Sequence, residues 1–179
     1  MKRFFVLLMI LVFAVALFAC TPKDKPKETG KVTDTEPVSG TGEKEIPFEL
    51  PDLKAAVEHM VTGLEMTDMT ELDSDSLVLR YGIIDKYTDV YAIVSASIAS
   101  DECVIFKAKD SSSAVEIVDL LKTYRDDRIE LYNGYAPEET PRLRSAYIGE
   151  KNGYVIFAAT LKPENAEALF FGLPESLEG

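Results

Sequence analysis

SAYIGEKNGYVIFAAT, residues 145–160, is the stretch on which the fold reading turns. Asn152-Gly153 sits between Ser145–Glu150 and Tyr154–Thr160. That dipeptide tolerates the two left-handed positions of a tight type I′ turn, so the stretch predicts an antiparallel hairpin. Upstream, the β-rich runs Tyr91–Ile98 and Cys103–Phe106 are broken at Ser100-Asp101 and predict a second hairpin. Between the hairpins, Ala114, Ile117, Val118, Leu121, Tyr124, Arg128, Leu131 and Tyr132 recur at helical spacing as one stripe. Glu116, Asp119, Lys122, Asp126 and Asp127 fall largely off it. Ser113-x-x-Glu116 has the form of a capping box at its start, and Asn133-Gly134 is the expected stop.

Working outward, Asp52 after Pro51 reads as the N-cap of a helix whose apolar positions are Leu53, Val57, Met60, Val61 and Leu64. Ser74-Asp75-Ser76 and Leu77–Tyr81 predict a short helical turn ended by Gly82. Two prolines bracket Tyr135–Pro141, which predicts an irregular loop. Pro163 suits the first position of a closing helix through Phe171, with Gly172 and Pro174 ending it. The expected class is α+β: an antiparallel sheet of two hairpins with helices on one face, in the order α, short α, β, β, α, β, β, α.

The N-terminus predicts an address. Lys2 and Arg3 precede Phe4–Ala19, which carries no charge, and Cys20 follows Leu17-Phe18-Ala19. That is the layout of a bacterial lipoprotein leader, with residues 1–19 removed and Cys20 acylated. Phe18 is the one misfit, since a smaller side chain is usual there. Phe4–Ala19 as a helix would span roughly 24 Å, short of a hydrocarbon core of roughly 30 Å. An ordinary secretory leader is the competing reading. Residues 20–49 are rich in Lys, Glu, Thr, Pro and Gly and predict a disordered tether. Residues 50–179 are then one globular domain, lipid-anchored at the extracytoplasmic face of the cell membrane.

The net charge of −12 argues against nucleic acid as a partner, because phosphates need Lys and Arg. With Cys20 committed to lipid, Cys103 is expected to be a lone buried thiol. One histidine, His59, makes paired-histidine metal sites impossible within this sequence and leaves any Ser-His-Asp triad dependent on it alone. It reads as a surface or boundary residue. Asp68, Glu71, Asp73 and Asp75 lack the Gly and closing Glu of a calcium loop and read as a solvated capping segment. Met60, Met66 and Met69 read as packing residues. No metal, cofactor or catalytic residue is assigned. With 31 acidic residues, a nameable carboxylate pair carries no information about glycosidase chemistry.

The group that stands out combines Tyr132, Tyr135, Glu138, Glu139, Arg142 and Arg144. Tyrosines beside both charges suit recognition of a sugar, peptide or protein. The plainer alternative packs Tyr135 under the helix end, makes Glu138 and Glu139 turn caps, and pairs the arginines with acids.

A leader, a polar tether, the run Val104-Ile105-Phe106-Lys107-Ala108-Lys109-Asp110, a helix and Tyr135-Ala136-Pro137-Glu138-Glu139 together resemble the bacterial lipoproteins of domain-of-unknown-function family 4358. The resemblance spans roughly Leu53 to the C-terminus. It implies an anchored extracytoplasmic domain and brings no activity or catalytic residues. The expected role is therefore non-catalytic binding of an envelope ligand or protein. An envelope hydrolase using acidic residues, or a structural accessory subunit, is the alternative.

Overall fold

A computed structural model describes residues 48–177; the leader, Cys20 and the expected tether as far as residue 47 fall outside them. The Asn152-Gly153 expectation holds. β4 (Tyr147–Lys151) and β5 (Tyr154–Ala159) pair antiparallel, with Lys151 opposite Tyr154. Both turn residues are left-handed, at φ 51° for Asn152 and 82° for Gly153, the conformation the dipeptide was expected to supply. β2 (Tyr87–Ser95) and β3 (Glu102–Ala108) form the other hairpin. β3 also pairs with β5, so the two most apolar strands lie at the centre.

A fifth strand, β1 (Met69–Glu71), was not anticipated and pairs antiparallel with β2. At three residues, with Asp68 left-handed before it, it carries too little pattern to declare itself. The sheet order is β1-β2-β3-β5-β4.

The α+β antiparallel class holds, but the helices are not confined to one face. α1 (Leu53–Gly63), α5 (Pro163–Phe171) and α6 (Leu173–Leu177) cover the side of Cys103, Ile105, Ile156 and Ala158. α2 (Ser74–Tyr81), α3 (Ser111–Tyr135) and α4 (Thr140–Arg144) cover the side of Val104, Phe106, Val155 and Phe157. Successive strand residues face opposite ways. A run buried at every position, as Tyr154–Ala159 is, therefore needs cover on both sides. Phe48 and Leu50 join the α1 side, where Phe48 meets Phe170 edge-on at 5.2 Å.

Local signals decide the helix ends. Asp52 caps α1 by accepting from Ala55 N–H at 3.0 Å. Asp73 does the same for α2 from Ser76 at 2.8 Å, and Gly82, left-handed at φ 63°, closes that helix. α3 departs from expectation at both ends. Its cap is Asp110, which accepts from Ser113 N–H at 2.7 Å, while Glu116 pairs with Lys86 and closes no capping box. It also runs through Asn133-Gly134 to Tyr135, stopping at Ala136, whose backbone is non-helical, before Pro137. The stripe keeps Ala114, Ile117, Leu121 and Tyr132 buried, but Leu131 is exposed. Residues 137–144 are not irregular: Pro137–Glu139 is a 3-10 turn leading directly into α4. Proline fits the first turn of a helix, where no N–H is needed, so the two prolines start helices instead of breaking them. Pro163 starts α5 as expected, and α6 then continues past Gly172 with Pro174 inside its first turn.

Candidate functional site

The predicted group splits in two. The 3-10 turn points the Glu139 side chain back to the β2–β3 connection, where its Oε2 accepts from Ser100 N–H at 2.8 Å and Ser100 Oγ–H at 3.0 Å. One turn of chain later, Arg142 Nη1 lies 2.9 Å from that same oxygen and also pairs with Asp101. Ser100 is buried and both acids are largely covered. Burial raises the Asp101 carboxyl above its usual value; Arg142 opposes the rise. These four residues form a latch that fastens the 3-10 turn and α4 to the sheet. Glu139 Oε2 and Arg142 Nη1 are both engaged within it.

The other part faces out. Tyr132 is buried and stacks on exposed Tyr135 with ring centroids 4.8 Å apart. Arg128, one turn earlier on α3, lies over the Tyr132 ring at 4.7 Å, and its Nη2 donates to Tyr132 Oη at 3.0 Å. Burial pushes the Tyr132 phenol up to about 12, and the hydrogen bond with Tyr135 adds to the rise. Glu138 and Arg144 are exposed. The structure thus keeps Tyr135 and Glu138 available on the surface beside exposed Leu131, and takes Glu139 and Arg142 out of it.

A cluster that sequence reasoning missed lies under α2 and α3. Glu102, the first residue of β3, is fully buried. Its Oε1 accepts from Tyr81 Oη–H at 2.6 Å, and its Oε2 from Arg80 Nη2 at 2.5 Å, Arg80 Nε at 3.2 Å and Tyr124 Oη–H at 2.9 Å. Burial raises the Tyr81 and Tyr124 phenols well above their usual range, and the neighbouring Glu102 charge adds to this. For Arg80 burial works the other way, but the Glu102 carboxylate outweighs it and holds the guanidinium charged. A carboxylate with four donors on two oxygens is engaged as a joint between α2, α3 and β3, and both its oxygens are occupied. Its sequence signal was parity. Glu102 shares a face with Val104 and Phe106, which marks it as inward-pointing.

The remaining candidates take packing roles. Cys103 is buried on the α1 side, where desolvation raises its thiol far from the reactive range. Asp73 caps α2, Glu71 lies 3.8 Å from Lys54, and the Asp68 carbonyl accepts from Ala96 N–H. Met60 and Met66 are core residues and Met69 packs against them. His59 lines an open groove of about 420 Å³ between α1 and the α5–α6 pair, with Gly63, Asn165, Leu169 and Ser176. No described helix is long and apolar enough to cross a membrane.

Architecture and site together define a small α+β domain: a five-stranded antiparallel sheet covered on both faces, with one loop latched down and one aromatic-acidic edge exposed. A family model described as a domain of unknown function (DUF4358) matches residues 63–160, more than half of the chain, and the chain belongs to that family. The matched span runs from the last residue of α1 to just past β5, so it contains the whole sheet and α2–α4. Comparison with curated proteins finds no match, and comparison with solved structures finds none either.

Proposed function

We propose that the chain is an extracytoplasmic lipoprotein, anchored through lipid on Cys20, whose domain binds an envelope ligand or protein without turning it over. The observation that carries the anchor is the sequence Lys2–Cys20: two cations, an uncharged apolar run and a cysteine behind Leu17-Phe18-Ala19. The binding surface on this reading is Tyr135 and Glu138 with Leu131 beside them, held in place by the Glu139–Arg142–Asp101–Ser100 latch. An aromatic ring, an aliphatic side chain and a carboxylate on a rigid helix end suit a partner with both apolar and polar contacts. Support against the hydrolase alternative comes from the most enclosed carboxylates. Glu102 has both oxygens held by internal donors, which leaves neither free to move a proton to a substrate, and Glu139 has its Oε2 tied to Ser100 and Arg142.

Two experiments test the parts separately. Fractionation of cells expressing wild type and Cys20→Ser places wild type in the membrane and releases the variant; equal retention overturns the anchor. Thermal shifts with muropeptides, sugars and peptides are expected to show a rise that Tyr135→Ala and Glu138→Ala abolish, because a ligand of the native state raises its stability. Turnover of wall fragments that one carboxylate substitution abolishes would replace binding with hydrolysis.

A further inference from the structure

We infer that the open edge of β4 is a self-association surface, on which a second copy of this chain pairs antiparallel about Gly149. Among the described residues, β4 is the last strand of the sheet order and pairs only with β5. A two-residue turn is closed by a hydrogen-bonded pair, here Lys151 and Tyr154. Alternation then makes Gly149–Ile156 and Tyr147–Ala158 hydrogen-bonded pairs, and turns the N–H and C=O of Ile148 and Glu150 away from β5. Such a row is a template for another strand.

The ground beside this edge is graded in charge. At one end Lys122 and Arg125 of α3 line a groove with Ser145, Ala146 and Ile148. At the other, Asp119 and Glu150 line its continuation with Val115 and Val118, and Lys122 borders both. Among the described residues, Lys122 and Arg125 pair with exposed acids of their own helix, Asp119 and Asp126, each at 2.9 Å. Glu150 gives one oxygen to Gly153 N–H at 2.8 Å and keeps the other.

A two-fold axis through Gly149 fits both features. It sets Ile148 opposite Glu150 of the second copy and Glu150 opposite its Ile148, so all four outward residues meet as hydrogen-bonded pairs. Directly opposed residues point to the same face, and Ile148 lies on the α3 side. Glu150 of each copy therefore arrives beside Lys122 and Arg125 of the other. Opposite charges at the two ends of one groove make the surface complementary to itself, as an isologous dimer requires.

The test is detergent-matched sedimentation velocity on the full chain. Wild type is expected to form a dimer at concentrations up to about 100 µM. Glu150→Lys repels Lys122 and Arg125 twice over in a symmetric interface and is expected to weaken the dimer by at least about tenfold. Adding Lys122→Glu and Arg125→Glu to Glu150→Lys restores it. Ile148→Pro removes an outward N–H that β5 does not use, so it abolishes the dimer with the circular dichroism spectrum unchanged. A monomeric wild type overturns the proposal and leaves the edge to a different protein. So does a dimer whose affinity either Glu150→Lys or Ile148→Pro leaves unmoved.

Discussion

The two faces of the sheet use the same strands and are sealed by different means. On the α1 side, Cys103, Ile105, Ile156 and Ala158 meet Met60, Leu53, Phe170 and Phe48, and the one buried side-chain hydrogen bond among the described residues of that cluster is neutral, from Tyr154 Oη–H to the Leu50 carbonyl at 3.4 Å. On the α3 side, Val104, Phe106, Val155 and Phe157 meet Ile117, Leu121 and Leu143, but a charged joint at Glu102 and the latch at Glu139 are set into that layer. Apolar contact is non-directional and scales with area, so it holds the α1 side together without fixing where its helices sit. Hydrogen-bonded charges do the reverse: they add little net stability when complete and cost much when broken, which pins α2, α3 and α4 in one arrangement. The family match covers the sheet and the α3 side whole, and only the last residue of α1. The pinned face is the one the family defines, and it carries the exposed Tyr135–Glu138 edge.

The contrast can be broken from either side. Phe170→Ala opens a cavity in the fully packed α1 side and is expected to cost about 4 kcal/mol in urea unfolding, the largest effect. It should leave the position of α3 unchanged, read by near-ultraviolet circular dichroism of its tyrosines. Glu102→Gln keeps shape and acceptor but strands the Arg80 charge, for a cost of about 3 kcal/mol. Arg80 keeps some contact with water, which holds the cost below that of a fully sealed ion. If Glu102→Gln cost less than 1 kcal/mol, the α3 side would be as non-directional as the α1 side.

Alkaline unfolding sharpens the same point. Tyr81 and Tyr124 are held protonated in the fold, chiefly by burial and then by Glu102. Unfolded tyrosines ionise near pH 10. Stability from these groups is therefore complete below about pH 10 and declines above it, as the unfolded chain releases protons that the fold retains. Tyr124→Phe should show a shallower loss between about pH 10 and 11 than wild type. At the other end of the scale, the Asp73 and Asp110 caps are held below the usual carboxylate range by backbone hydrogen bonds from Ser76 and Ser113. Their contribution is present above about pH 4 and fades as pH falls. Asp110→Ala removes this cap and is expected to lower the urea midpoint at pH 7 by less than Glu102→Gln does, with the difference from wild type shrinking below about pH 4.

Elements whose boundaries rest on local chemistry were legible in the sequence. Asn152-Gly153, the Asp52 cap, Gly82 and Pro163 each determine backbone geometry within a few residues, and each was placed correctly. Parity was available too: the unbroken apolar runs Cys103–Phe106 and Tyr154–Ala159 signal strands buried on both faces, which an expectation of one-sided cover passed over. Partnerships across long separations were not legible. Arg80 and Tyr124 lie 22 residues to either side of Glu102 and reach it only because α2 and α3 cover the same face. The candidate site shows the same limit. Which of its residues face Ser100 and Asp101 depends on where the 3-10 turn lands on the sheet.

The central claim is that this loop is divided: Glu139 belongs to the fold and Glu138, its neighbour, to the surface. Urea unfolding of Glu138→Ala and Glu139→Ala, measured side by side, tests it most directly. Glu139→Ala should lower stability by about 2 kcal/mol, since it leaves the buried Ser100 donors unpaired and takes one of two acids from Arg142. Glu138→Ala should fall within about 0.5 kcal/mol of wild type. Equal losses, or a larger loss at Glu138, would contradict the division and the binding surface built on it.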